Sequence, residues 1–258
     1  WGMQIGNQED YIATPHNGST PSIEGINMLR LARDLAEARK DEDTAASYTG
    51  QILEMEARLR DQLWMRDLGR FAFFADPPGC KRMDGQYHTL AYPAIYATVN
   101  PLEAWMSLRH LQDRLQGRSG EVYCSNNFPN HVVATVGTQA GMAQQPWAAW
   151  GLAAAGLRNE AYKPLAAAAR WVVNDDHRGA WPEVSTEPRP SYFSPPIGLF
   201  VASTVEAVFG LKVNKPAGQL QVQPCFPDDW PQATLHLPDY QARFKRTGNT
   251  LEYRVHSS

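Results

Sequence analysis

The stretch Ser19-Thr-Pro21-Ser-Ile-Glu24-Gly-Ile-Asn-Met28-Leu-Arg-Leu31-Ala-Arg-Asp-Leu35-Ala-Glu-Ala-Arg39-Lys40, followed by Asp41-Glu-Asp43-Thr44, decides the fold. A hydroxyl residue followed by Pro21 in the first turn, with Glu24 nearby, opens a helix. Ile26, Leu29, Ala32 and Ala36, with Met28, Leu31 and Leu35, then recur at helical spacing. Arg39 and Lys40 are cations at the end where the helix dipole is negative. Asp41 to Thr44 caps a second helix carrying Tyr48, Ile52, Met55, Leu59 and Leu63, to about Trp64. Two long helices joined by a short acidic turn predict an αα-hairpin.

The pattern repeats along the chain. Asn100-Pro101 caps a helix through Trp105, Leu108, Leu111 and Leu115 to Gly117. Thr138 to Gly156 reads as a small-residue helix and Asn159 to about Val173 as its partner, the alanines allowing close approach. Ile197 to Leu211 is apolar almost all round, with Glu206 its only charge, and predicts a buried helix. Helices therefore pair at a period of about forty residues, separated by long polar and aromatic segments, an arrangement that suggests a site along one side of a helical array. From Gly218 onward the period changes to two. Leu220–Val222, Ala233–Leu237, Tyr240–Phe244 and Leu251–Val255 alternate between Pro-Asp and Thr-Gly-Asn turns, predicting a small antiparallel β unit that packs on the helices or joins other strands. The expected division is a helical domain over residues 1–215 and a β unit over 216–258.

Composition narrows the function. With 258 residues, 43% hydrophobic and 20% charged, the chain holds a large core, and its net charge of −3 gives no electrostatic case for nucleic acid. Three widely spaced cysteines and seven histidines without a His-x-x-x-His pair suggest neither a disulfide framework nor a zinc site, so no cofactor is expected. No apolar run is long enough to span a membrane. Trp1 in place of an initiator Met suggests a mature form, a processed piece or a fragment, and leaves the compartment open. Eight Trp and ten Tyr suit carbohydrate stacking and a large core equally.

The strongest candidate is Glu183 in Arg178-Gly-Ala-Trp181-Pro-Glu183-Val. Pro182 fixes its own φ and pushes Trp181 toward an extended backbone, so the carboxylate is held beside an indole able to stack on a sugar. An ordinary solvated loop acid is the alternative. Asp84, with Gln86, Tyr87 and His88, forms a second constellation: Asp and His to hold hydroxyls, Tyr87 to stack, or simply a structural loop with a satisfied histidine. Trp147 and Trp150 read as core. Arg178 and Arg189 suit an anionic sugar or phosphate, or pair with nearby acids. Glu206 must find a partner or protonate, an arginine being the expected one.

A family resemblance joins these residues. Gln219-Leu-Gln-Val-Gln-Pro224-Cys-Phe-Pro227-Asp-Asp-Trp230-Pro resembles the Leu-x-Ile-x-Pro-x-x-Pro-x-x-Trp signature of six-hairpin glycosidases, which follows their (α/α)6 toroid. Gly198-Leu-Phe200, with Val205 and Val208-Phe-Gly-Leu211, is similar to their last barrel helix. Ile5-Gly-Asn-Gln-Glu9-Asp10-Tyr11 resembles a segment of the maltose and kojibiose phosphorylases in which the Glu before Tyr is the general acid. The resemblance implies a toroid followed by a β unit, a carbohydrate substrate, Glu9 or Asp10 as acid and Glu183 as base. Inverting hydrolysis needs two carboxyls about 6.5–9.5 Å apart. The helices counted make about half a toroid, so either a second polypeptide or a homo-oligomer supplies the rest, or the fold is reduced. Rival expectations are a glycoside phosphorylase, a polysaccharide lyase using Tyr87 and His88, and a non-catalytic carbohydrate-binding or structural piece.

Overall fold

A computed structural model describes residues 17–75, 79–81, 86–124, 141–174, 181, 195–215 and 217–257. Their architecture is mainly α, an array of helical hairpins with a C-terminal antiparallel β unit. The hairpins are α1 (Ser19–Ala38) with α2 (Glu42–Leu63), α3 (Tyr87–Ile95) with α4 (Pro101–Arg114), and α5 (Gln144–Ala154) with α6 (Arg158–Asn174). A seventh helix, α7 (Pro195–Ser203), runs on into a π-helical turn over Thr204–Val208.

Local chemistry explains the boundaries. At the start of α2 the Asp41 carboxylate accepts from the Thr44 amide, as the acidic turn predicts. The start of α4 is a full capping box: Asn100 accepts from the Glu103 amide, and the Glu103 carboxylate accepts from the Asn100 amide. Arg60 of α2 reaches the same Glu103 at 2.7 Å, joining the first two hairpins on their outer side. The start of α1 differs from expectation. Gly18 is its cap residue and no side chain caps it; Ser19 instead donates to the Phe73 carbonyl at 3.2 Å. Because α1 begins this early, Glu24 lies beyond the first turn.

The contacts between helices define two layers. α1 packs on α3, α3 on α5, and α5 on α7, so the odd-numbered helices form a continuous inner arc. α2, α4 and α6 lie outside it, each against its hairpin partner. One buried cluster joins α3, α4, α5 and α6 through Leu90, Leu108, Leu111, Leu152 and Ala161. A second joins α1 and α2 to Phe71 and Tyr92 through Ile23, Ile26, Ile52, Leu59 and Leu63. Gly151 lets α5 approach α3 closely, since a Cβ there would lie 2.8 Å from that of Ala91.

Short strands brace the arc between hairpins: β1 (Asn17–Gly18) pairs with β4 (Phe74–Ala75), and β2 (Trp64–Met65) with β3 (Arg70–Phe71). At the C-terminal end β5 (Leu211–Asn214) pairs with β6 (Gln219–Val222). β7 (Gln232–His236), β8 (Tyr240–Thr247) and β9 (Thr250–Ser257) form a meander. This unit packs on the helices, where Phe226, Ala242 and Phe244 share a buried cluster with Ala149, Leu165 and Val208.

The expectation of a helix buried all round at 197–211 is corrected. Ile197 and Val201 are exposed, and the α-helix ends at Ser203, with the π turn following. Its apolar composition predicts neighbours on every side; the described residues supply them on one side through α5.

Candidate active site

Hairpin geometry fixes where the chain enters each inner helix. Within each pair the connections are short, at 39–41, 96–100 and 155–157. The start of α1 meets the start of α3 through Ser19 and Thr89, the starts of α3 and α5 are both tied to 122–124, and the ends of α3, α5 and the π turn after α7 line one hollow, so the four inner helices run in one direction and begin at the same end of the arc. The long segments all lead into that end: 1–18 precedes α1, 64–86 precedes α3, 115–143 precedes α5 and 175–194 precedes α7. Four of the candidates, Glu9, Asp10, Asp84 and Glu183, belong to three of these segments, and Arg178 belongs to the same segment as Glu183. All five lie outside the described residues.

What is described at this end is a buried polar floor. Ser19 donates to Phe73 O and, at 3.4 Å, to Thr89 Oγ1. The Gln145 side chain is fully buried and clamps the chain before α5: its Oε1 accepts from the Val122 amide at 2.7 Å and its Nε2 donates to the Val122 and Gly141 carbonyls at 2.8 Å. Gln144 Oε1 accepts from the Gly141 amide at 2.6 Å. The Tyr87 amide donates to the Cys124 carbonyl, tying the start of α3 to the same segment. Thr20 Oγ1 and Gln86 Nε2, both buried, have no hydrogen-bond partner among the described residues. Gln86 belongs to the constellation read from the sequence. Thr20, Gln144 and Gln145 escaped that reading, though a polar residue in the first turn after a long segment is the signal that marks them.

Trp181 is the described residue of the candidate loop. It is half-buried, and its indole lies 5.0 Å from the Phe200 ring of α7 at 59°. Tyr87 and His88 stand at the start of α3, 3% and 2% exposed. Their rings are 3.6 Å apart, and His88 meets Tyr92 edge-on at 4.9 Å. Burial drives the His88 pKa down to about 3, so the imidazole is neutral. His88 is thus a buried, neutral histidine, and an aromatic line continues from it through Tyr92 and Trp147 to Trp150. Trp147 and Trp150 stack at 5.6 Å and pack on the core.

Glu206 occupies the opposite end of the arc, where α3, α5 and the π turn finish. There a hollow of about 280 Å³ is lined by Ile95, Ala97, Trp150, Glu206, Lys212 and Gln223 among others. Burial raises the Glu206 pKa, and the charge it senses is Lys212, in place of the expected arginine. Burial, with Glu24 and Glu206 adding to it, pushes Tyr96 up to about 12. Among the described residues no group of three or more His, Cys, Asp or Glu is placed to hold a metal ion, and no helix is long and apolar enough to cross a membrane.

An inner arc of parallel helices backed by an outer layer, with a β unit after the last inner helix, is the α/α-toroid architecture found in glycosidases. The solved structures to which the chain is similar include a wild-type glycosidase, with a TM-score of 0.63 and 15% identity over 80% of this chain and 56% of that one. A neutral trehalase from Saccharomyces cerevisiae aligns at 0.50, with 13% identity over 62% of this chain and 30% of the trehalase. A sialidase aligns at 0.73, with 10% identity over 99% of this chain and 27% of that chain. This chain spans about half the length of the glycosidases it matches. No family model and no curated protein matches the sequence.

Proposed function

We propose that the chain contributes the catalytic end of a glycoside hydrolase. The observation that carries this reading is topological: the segments bearing Glu9 and Asp10, Asp84, and Glu183 all lead into the same end of the inner arc. Glycosidases and a trehalase among its structural neighbours support the same reading. Glu9 or Asp10 protonates the leaving oxygen, and Glu183 draws a proton from the attacking water, which gives single-displacement inversion. Trp181, braced by Phe200, offers a stacking face for the sugar ring. Arg178 and Asp84 hold hydroxyls around it. Tyr87 and His88 act from beneath as packing for the floor.

The test is sugar release from a panel of oligosaccharides, with the anomer formed first read by proton NMR. Both the isolated chain and the protein as it occurs in its source are assayed. An inverted anomer supports the assignment. Sugar 1-phosphate formed only in phosphate, or an unsaturated uronide absorbance, would instead select the phosphorylase or lyase chemistry.

A further inference from the structure

The meander β7–β8–β9 has two faces of opposite character, because side chains alternate along a strand. One set, Ala233, Leu235, Ala242, Phe244, Tyr253 and Val255, packs toward the helices. The other set is turned to solvent, and the strand register brings it into three cross-strand rows: Gln232, Lys245 and Glu252; Thr234, Arg243 and Arg254; His236, Gln241 and His256. Every one of these side chains is exposed and none is apolar. Their charges are out of balance. Arg254 pairs with Glu252, the one acid in the rows. Arg243 and Lys245, on the middle strand, make no ion pair among the described residues. Arg243 faces Arg254 directly, a like-charge pair that weakens a sheet. Arg243 and Lys245 both line two open hollows, of about 340 and 550 Å³, and Arg254 lines the first.

We propose that this outer face of the β unit docks a polysaccharide that carries carboxylates, a polyuronate. Charge complementarity selects an anion: cations are gathered on one face, at a cost to the sheet, in a chain whose net charge is −3. Their spacing selects a polymer. Side chains directly opposite stand about 5 Å apart, and Arg243 and Lys245 stand about 7 Å apart along their strand, so successive acidic groups are met in turn. Guanidinium groups grip carboxylates through paired N–H donors, and Gln232, Thr234 and Gln241 meet the hydroxyls between them. Other polyanions fit less well. A protein partner is held by apolar anchors, and the face has none. Single-stranded nucleic acid is held by bases stacked on Phe, Tyr or Trp, equally absent from these rows. Duplex DNA calls for a wider basic surface than these cations make.

The test is binding of the whole protein to immobilised polygalacturonate, measured by biolayer interferometry at low salt. Binding is read without turnover, so its failure and the failure of the hydrolase reading are distinct results. Arg243→Gln with Lys245→Gln is expected to weaken binding about tenfold or more, while the charge-matched pair Arg39→Gln with Lys40→Gln, at the end of α1, changes it by about twofold or less. The first pair also removes the repulsion against Arg254, so its melting temperature should hold or rise, which separates lost binding from lost fold. Soluble amylose, built of neutral sugars, should not compete, and added salt should release the protein. No binding to polygalacturonate, equal weakening by the two pairs, or competition by polyglutamate or duplex DNA as strong as that by soluble polygalacturonate at equal charge would overturn the proposal.

Discussion

The Trp181 indole rests 5.0 Å from the Phe200 ring, fixing one point of the Arg178–Glu183 loop to the last inner helix. An aromatic contact of this kind contributes about 0.5–1.5 kcal/mol beyond burial. Phe200→Ala should therefore cost about 1–3 kcal/mol in denaturant unfolding and lower sugar release about tenfold. Trp181→Ala should lower it at least as much, chiefly through KM. Activity unchanged in both variants would detach the loop from the site.

Acid should destabilise the fold through His88. Its folded pKa of about 3 lies far below the unfolded value near 6.5. Above that unfolded value the histidine adds no pH dependence. Below it the unfolded chain binds a proton that the folded chain refuses, so stability falls by about 1.4 kcal/mol per pH unit. His110, pushed down to about 4 by burial and by Arg70 and Arg114, works in the same direction. Melting curves from pH 7.5 to 5 should show the decline, and His88→Phe should flatten it.

Glu206 should respond oppositely. Burial raises its pKa, so its charge at neutral pH is a cost that Lys212 offsets in part. Glu206→Gln should raise the melting temperature at pH 7 by about 1–3 °C, with the gap closing as pH falls into the carboxylate range. Destabilisation at pH 7 would mean that the carboxylate is held by stronger partners than Lys212.

Gly210 joins the helices to the β unit at φ +67, and a Cβ there would fall on the Gln223 carbonyl. The Gln223 amide donates back to Gly210 O at 2.8 Å. Gly210→Ala should cost about 2–4 kcal/mol, measured by denaturant unfolding.

How much of this was legible in the sequence differs from residue to residue. Asp41 and Asn100-Pro101 announced α2 and α4 because capping is local chemistry, complete within four residues. The period-two pattern after Gly218 announced the β unit for the same reason. The Ile197–Leu211 run misled, because apolar composition reports that a surface is to be covered and not by what. Thr20 and Gln145 carry only the weak mark of a polar residue in the first turn after a long segment; their partners, and the burial of His88, depend on where 71–75 and 122–124 pass over the helix starts, which is a tertiary matter. Short pairings such as Trp64 with Phe71 lie below the length at which alternation is readable.

The measurement that bears most directly on the central claim is sugar release by Glu183→Gln beside the unsubstituted protein, both confirmed folded by circular dichroism. A loss of about 10²–10⁴-fold with unchanged melting is the predicted result. An unaltered rate would contradict the placement of the catalytic base at the shared end of the inner helices.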